Sequence, residues 1–113
     1  MSTLLNLGRD VAGQNSYTPA FCDNKFSATL TIGVEATFTV PSNKKVWTCA
    51  FCIQPGTVVW VARNETAAVP VGGTFAATDS ELNPATRTVF AGDVIHLITS
   101  STTADVGVLL YAV

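Results

Sequence analysis

The clearest structural signal in this chain is the stretch Phe26-Ser27-Ala28-Thr29-Leu30-Thr31-Ile32-Gly33-Val34. Its apolar side chains occupy every second position, and small polar residues alternate with them at its start. Because successive side chains of a β-strand point to opposite faces of a sheet, this period of two is typical of a strand with one buried face. We therefore expect a half-buried strand here, with Ile32 and Val34 on the same apolar face as Phe26.

Several further segments show the same alternation or a run of strand-forming residues. We predict strands over residues 36–40, 46–53, 57–63, 86–90, 94–99 and 105–113, with one more short strand near 74–76. Clusters of Pro, Gly, Asn and Ser separate these segments, and such residues favour turns. No window of about ten residues has the period of a helix. Seven or eight short strands predict an all-β chain that folds as an antiparallel β-sandwich or jelly roll.

The length of 113 residues suits a single folded domain with one core. Residues 1–24 have weak periodicity, and we predict that they form an irregular N-terminal arm. Residues 25–113 are predicted to form the β-sandwich domain. The arm contains apolar side chains that need burial somewhere, namely Leu4, Leu5, Leu7, Tyr17 and Phe21.

The composition is poor in charge and rich in apolar residues. Charged residues make up 12% and hydrophobic residues 48% of the chain, whereas an ordinary soluble domain carries about 25% charged residues. The net charge is −2, and no basic cluster is longer than Lys44-Lys45, so nucleic-acid binding is not expected. No apolar run approaches the roughly 20 residues of a membrane helix. A mean hydropathy of +0.37 instead suggests a surface that other protein partly covers.

The three cysteines include the spacing C-x-x-C, formed by Cys49 and Cys52. A redox pair with this spacing usually opens a helix, and a zinc site needs further ligands. Here both cysteines fall inside a predicted strand, where positions three apart face opposite sides of the sheet. We therefore expect structural core cysteines. The N-terminus has no recognisable secretion signal, so we also expect reduced thiols and synthesis in a cytosol.

The candidate catalytic groups have simpler structural explanations. His96 is the only histidine and lies in a predicted strand, where we expect a structural hydrogen bond. A glycosidase needs two carboxylates across a cleft, but Asp93, Asp79 and Glu81 fall in turns or loops, where turn chemistry explains them. No nucleophile motif such as G-x-S-x-G is present. We therefore expect no catalytic residues, no metal and no other cofactor.

Aromatic and arginine side chains are the candidates for an interaction surface. The aromatic residues Trp47, Trp60, Tyr17 and Tyr111 suggest either core positions or a sugar-binding platform. In a chain with so few charges, each arginine is expected either in a specific ion pair or on the rim of an interface. The alternative is that these arginines are simply solvated on the surface. The candidate interface residues are Leu4, Leu5, Leu7, Arg9, Asp10, Tyr17, Trp60, Arg63 and Arg87.

Several stretches resemble small virion proteins of tailed bacteriophages. The resemblance is carried by Leu7-Gly8-Arg9-Asp10-Val11-Ala12-Gly13-Gln14-Asn15, Phe26-Ser27-Ala28-Thr29-Leu30, Val59-Trp60-Val61-Ala62-Arg63-Asn64, Glu81-Leu82-Asn83-Pro84-Ala85-Thr86-Arg87-Thr88-Val89 with Ala91-Gly92-Asp93, and Val106-Gly107-Val108 with Tyr111. It implies a small β-sandwich capsid protein, specifically a decoration (cement) protein on the outer head shell. Such proteins often sit as trimers or dimers on the lattice of the major capsid protein, and the family supplies no catalytic residues.

The resemblance and the low charge together lead to one main expectation. We expect a non-enzymatic decoration protein on the virion surface, made in the host cytoplasm, that binds the major capsid protein lattice and stabilises it. A homo-oligomer, trimer or dimer, is expected, and nucleic acid and membrane are not expected as partners. The first alternative is another virion β-domain of a tail, adaptor or fibre that binds host glycans. The second alternative is a small enzyme or ligand-binding jelly roll.

Overall fold

The computed structural model of the protein describes residues 3–4, 12, 21–70 and 80–113. Within these ranges the chain forms eight strands and no helix. The strands are β1 (Asn24–Thr31), β2 (Ala36–Thr39), β3 (Val46–Ile53), β4 (Val59–Arg63), β5 (Glu81–Leu82), β6 (Thr86–Phe90), β7 (Val94–Thr99) and β8 (Thr103–Ala112).

The eight strands form two antiparallel sheets of four. The first sheet has the order β1-β8-β3-β6 and the second has the order β2-β7-β4-β5. The strand pairing follows the pattern of one long hairpin that is wrapped around its own axis, with the pairs β1–β8, β2–β7, β3–β6 and β4–β5. This is the arrangement of a jelly roll, the two-sheet form of an eight-stranded β-protein. The structure thus confirms the predicted all-β sandwich.

The core lies between the two sheets and is built from side chains at alternate strand positions. On β3, Trp47 and Cys49 are fully buried, and Val108 on β8 and Leu97 on β7 are buried against them in the same cluster. The indole N–H of Trp47 donates to the carbonyls of Pro41 at 3.1 Å and Lys44 at 3.2 Å. This large side chain therefore fills the core without leaving its polar group unpaired.

The first strand ends earlier than its alternation predicts. β1 stops at Thr31, and Gly33 adopts a φ of +72°, a left-handed conformation that favours glycine and turns the chain towards β2. The expectation that Ile32 and Val34 face the core is therefore wrong, because their side chains are 54% and 59% exposed. The alternation continues in the sequence across this turn, but the sheet does not.

The remaining strand predictions vary in accuracy. Strands over 46–53, 86–90 and 94–99 are confirmed at the predicted bounds, whereas β4 begins two residues later than predicted and β8 two residues earlier. The two-residue strand β5 was not predicted. The strand expected near 74–76 lies outside the described residues. In the predicted N-terminal arm, the carbonyl of Thr3 accepts a hydrogen bond from the Ala112 N–H at 2.9 Å, so this part of the segment lies beside β8.

Candidate interaction surface

Four exposed apolar side chains surround one end of the first sheet. They are 48%, 100%, 44% and 69% exposed, and together they are called the terminal patch: Leu4, Phe21, Phe90 and Val113. Exposed apolar side chains are common one at a time on soluble proteins, but a group of them marks a site of interaction. In a chain with so few charges, this patch is the first candidate for an interface.

Backbone pairing places the members of the terminal patch near one another. The Val113 N–H donates to the carbonyl of Val46 at 3.0 Å, and Val46 pairs with Phe90 across β3 and β6. Val113 and Phe90 therefore flank the same residue. Leu4 forms a bridge with Ala112, the residue before Val113.

Phe21 reaches the same end of the sheet through its neighbour. The thiol of Cys22 donates to the Leu110 carbonyl at 2.9 Å, and the adjacent Asp23 carboxylate accepts the backbone N–H of Thr3 at 2.8 Å. Phe21 thus begins the segment that enters β1 beside the end of β8. Leu4, a predicted interface residue, is half exposed and Phe21 is fully exposed, so the burial that both side chains were expected to need is not supplied by this chain.

An ion pair fixes Arg63 against the terminal patch. Its guanidinium carbon lies 5.5 Å from the centre of the Phe90 ring, a cation–π contact, and its Nε lies 3.2 Å from the Asp93 carboxylate. That carboxylate also accepts the Phe90 N–H at 2.9 Å and the Asn64 side-chain amide at 3.1 Å. Asp93 therefore closes the turn between β6 and β7, as turn chemistry predicted, and it also orients Arg63.

A second ion pair joins the two sheets at their open side. Arg87 on β6 donates from Nε to the Glu81 carboxylate on β5 at 2.8 Å, and from a terminal nitrogen at 3.3 Å. Both side chains are about half exposed, at 47% and 53%. An exposed pair of this kind contributes about 1 kcal/mol at most to stability, so its main effect is to hold the two guanidinium donors in one orientation.

Arg63 and Arg87 border the same cavity, which has a volume of about 240 Å³. Its floor is apolar and consists of core side chains from three strands and the half-buried ring of Phe51: Phe51, Val61, Val89 and Ile95. We call it the edge slot. The structure thus brings two of the predicted interface residues together, next to the terminal patch. The sequence analysis missed Phe90 and Val113, since only strand pairing shows that they are neighbours.

The other predicted interface residues have different outcomes. Trp60 is 5% exposed and lies beside Ile98 and Leu82, so it has little surface left for a partner, and its assignment to an interface is corrected. Trp60 was assigned from its residue type, whereas its burial is a property of the tertiary structure. The remaining predicted residues lie outside the described residues: Leu5, Leu7, Arg9, Asp10 and Tyr17.

The three cysteines are all free, and they occupy different environments. Cys49 is in the core, where burial raises the pKa of its thiol to about 12. Cys22 is also buried, but Cys52 is exposed on the outer face of the first sheet, so the expectation of a core position is wrong for Cys52. The predicted divergence of the C-x-x-C thiols is confirmed, because the strand turns them to opposite faces.

His96 forms the structural hydrogen bond that its strand position predicted. Its Nδ1 lies 2.9 Å from the Glu35 carboxylate, whose other oxygen accepts the Ala67 N–H at 2.8 Å. The pKa of Glu35 lies below its usual value, mainly because of the hydrogen bond to His96. The Ala67 N–H and the charge of His96 lower it further, in that order, whereas burial acts in the opposite direction. The pair fastens the segment after β4 to the outer face of the second sheet.

The aromatic residues considered for a sugar platform are mostly inside the protein. Trp47, Trp60 and Tyr111 are buried, and Tyr17 lies outside the described residues. Among residues 3–4, 12, 21–70 and 80–113, no group of three His, Cys, Asp or Glu side chains is placed to hold a metal ion. In the same part of the chain, no helix is long and apolar enough to span a membrane.

Comparison of the chain with family models, with curated proteins and with solved structures gives no match.

Proposed function

We propose that this protein is a non-enzymatic decoration protein of a tailed-bacteriophage capsid, which binds the outer surface of the major capsid protein lattice. The observation that carries the proposal is the terminal patch beside the edge slot, on a chain of which 12% of the residues are charged. Such a surface is best covered by another protein. We infer that this other protein is the capsid lattice because the sequence resembles phage virion proteins.

The charges around the terminal patch favour a protein partner over a polyanion. Arg63 is paired with Asp93 and Arg87 with Glu81, so each guanidinium beside the edge slot already has a carboxylate of this chain. A surface that bound nucleic acid would need several free cations that face the phosphates together. Oriented, internally paired arginines around an apolar floor are instead typical of the rim of a protein interface.

Mass action explains how such binding would stabilise a capsid. A protein that binds the assembled lattice and not its free subunits shifts the equilibrium towards the lattice. The terminal patch and the edge slot lie at one end and one side of the sandwich. The other end, which carries the β1–β2 turn, would then face away from the contact.

Binding to capsids that lack the protein tests this proposal. Phe90→Ser and Val113→Ser together should weaken binding in a cosedimentation assay by about tenfold or more, because each apolar side chain buried at an interface contributes roughly 1–3 kcal/mol. The matched control is Ile32→Ser with Val34→Ser, which removes equally exposed apolar side chains at the other end of the sandwich. Equal binding by both double variants would contradict the proposal.

The predicted N-terminal arm needs a separate test. Deletion of residues 1–15 should abolish capsid binding if the arm acts as the clamp, but it also removes the Thr3 carbonyl that pairs with β8. Leu5→Ser with Leu7→Ser leaves Thr3 and Leu4 in place and is therefore the cleaner variant. Unchanged capsid binding by this variant would remove the arm from the proposal.

The position of the protein in intact virions separates decoration from the alternative of a tail, adaptor or fibre domain. A label on an exposed residue at the β1–β2 turn, such as Val34→Cys in a Cys52→Ser background, reports the copy number and location. Many copies over the head support decoration. A few copies at one vertex would contradict it and favour the tail alternative.

A further inference from the structure

Among the strands of the described residues, β1 is the longest edge strand. The two sheets have four edge strands in this part of the chain, and β1 has eight residues, compared with four in β2, two in β5 and five in β6. β-Proteins usually shorten, charge or cover their edge strands, because a bare edge pairs readily with another chain. The edge of β1, along which no other strand of the described residues pairs, therefore indicates a partner strand.

The hydrogen-bond register shows which backbone groups face outward. The Ile32 N–H donates to the Thr102 carbonyl at 3.2 Å, in line with the β1–β8 register, so even-numbered β1 residues bond to β8. In an antiparallel pair the intervening residues turn their N–H and C=O groups to the other side. These are Lys25, Ser27, Thr29 and Thr31, whose side chains are exposed. In the part of the chain that the structure describes, no backbone group bonds to the first three on that side, whereas the Thr31 carbonyl accepts the Val34 N–H at 3.0 Å.

Within the described residues, side chains protect part of the edge of β6 but not the edge of β1. On β6, the Asp93 carboxylate accepts the Phe90 N–H, and the Arg87 side chain donates to the carbonyl of Thr86. These contacts occupy two of the outward backbone groups that an added strand would use. Among the described residues, the outward backbone groups of β1 have no such side-chain partner, and the only charged side chain on β1 is Lys25.

The charges on the outer face of the first sheet favour a second copy of this chain as the partner. Lys25 on β1 and Asp105 on β8 are the only charged residues at the outward positions of these two strands. Asp105 lies opposite Thr29 and accepts a hydrogen bond from its hydroxyl at 2.8 Å. A strand that places a cation next to Thr29 would complement Asp105, and β1 of another copy has that cation.

We propose that β1 of one molecule pairs antiparallel with β1 of a second copy about a two-fold axis at Ser27, so that the two first sheets join into one continuous sheet. In this register Ser27 faces Ser27, and Lys25 faces Thr29 of the other copy. Lys25 of one copy then lies in the same row as Asp105 of the other, about 10 Å away between Cα atoms, which the two side chains can span. Three residue pairs exchange backbone hydrogen bonds.

This self-association is independent of capsid binding, so either property can hold when the other fails. Light scattering after size-exclusion chromatography should show twice the mass of one chain as the concentration rises to about 1 mM. Ser27→Pro removes an outward backbone N–H and places the proline ring where the partner strand would pair. An edge strand of the monomer tolerates such a proline. It should raise the dimer dissociation constant by about tenfold or more, since the two-fold axis doubles every loss. An unchanged thermal unfolding midpoint shows that the monomer still folds.

A charge variant and a crosslink test the register itself. Lys25→Glu should weaken the dimer, and Lys44→Glu, the same charge change outside β1, should not. In a Cys52→Ser background, Ser27→Cys should form an intermolecular disulfide, because facing Cα atoms lie about 5.5 Å apart. Lys25→Cys should not, since its two copies lie roughly 14 Å apart.

Three outcomes would overturn the inference. The first is a monomer at every concentration. The second is a dimer or trimer with the same dissociation constant after Ser27→Pro. The third is a disulfide that forms at position 25 more readily than at position 27.

Discussion

Replacement of Thr99 by valine should destabilise the fold more than its small chemical change suggests. Thr99 ends β7 and is fully buried. Its hydroxyl donates to the Val58 carbonyl at 2.6 Å and accepts the Ser101 N–H at 3.0 Å. Valine keeps the branched shape but makes neither bond. Each lost hydrogen bond costs about 1 kcal/mol, and more where the partner remains buried, so Thr99→Val should cost about 2 kcal/mol or more.

The matched variant Thr99→Ser separates the hydroxyl from the methyl group. Serine keeps both hydrogen bonds and removes one buried methyl, which should cost about 1 kcal/mol. Urea unfolding followed by the fluorescence of the two tryptophans, Trp47 and Trp60, measures both variants. Thr99→Val should lower the midpoint by about 1 M or more, given the usual slope for a domain of this size. If Thr99→Val proves as stable as Thr99→Ser, the hydroxyl does not join β7 to the segment before β4 as described.

Three other predictions concern a thiol, a carboxylate and a turn. In the native protein the exposed Cys52 should react with a thiol reagent at once. Cys49 should react only after unfolding, because burial raises the pKa of the Cys49 thiol to about 12. Mass spectrometry of the labelled peptides distinguishes the two cysteines. The fold lowers the pKa of Glu35, so this carboxylate stabilises the protein above its ordinary pKa, and that stabilisation is lost as the pH falls through the folded pKa. The difference in unfolding free energy between the natural protein and Glu35→Gln should therefore shrink in acid. Urea unfolding at a series of pH values measures it. Gly92→Ala should cost about 1 kcal/mol in thermal unfolding, because Gly92 has a φ of +83° and open space around it.

Each of these predictions has a contrary result. Labelling of native Cys49 at the rate of Cys52 would mean that the core opens readily. A difference between Glu35→Gln and the natural protein that grows in acid would reverse the sign argued for this carboxyl. A Gly92→Ala variant with unchanged stability would show that the turn between β6 and β7 adopts another conformation.

The strand pattern was readable from the sequence because it depends on neighbours along the chain. Alternation and turn residues located 46–53, 86–90 and 94–99 at their observed bounds. The same local geometry predicted that Cys49 and Cys52 diverge. It also placed His96 in a strand, where its hydrogen bond was expected. A side chain's position relative to its own strand needs no knowledge of the rest of the fold.

Burial and contact between distant segments were decided by the tertiary structure. The alternation placed Ile32 and Val34 on a buried face, but the sheet ends before them. Phe90 and Val113 became neighbours only through the pairing of β3 with β6 and with the end of β8. An antiparallel sheet can be assembled from the same strands in many orders, and each order covers a different set of side chains. The exposed surface, and with it the candidate interface, therefore follows from strand pairing, which no local pattern encodes.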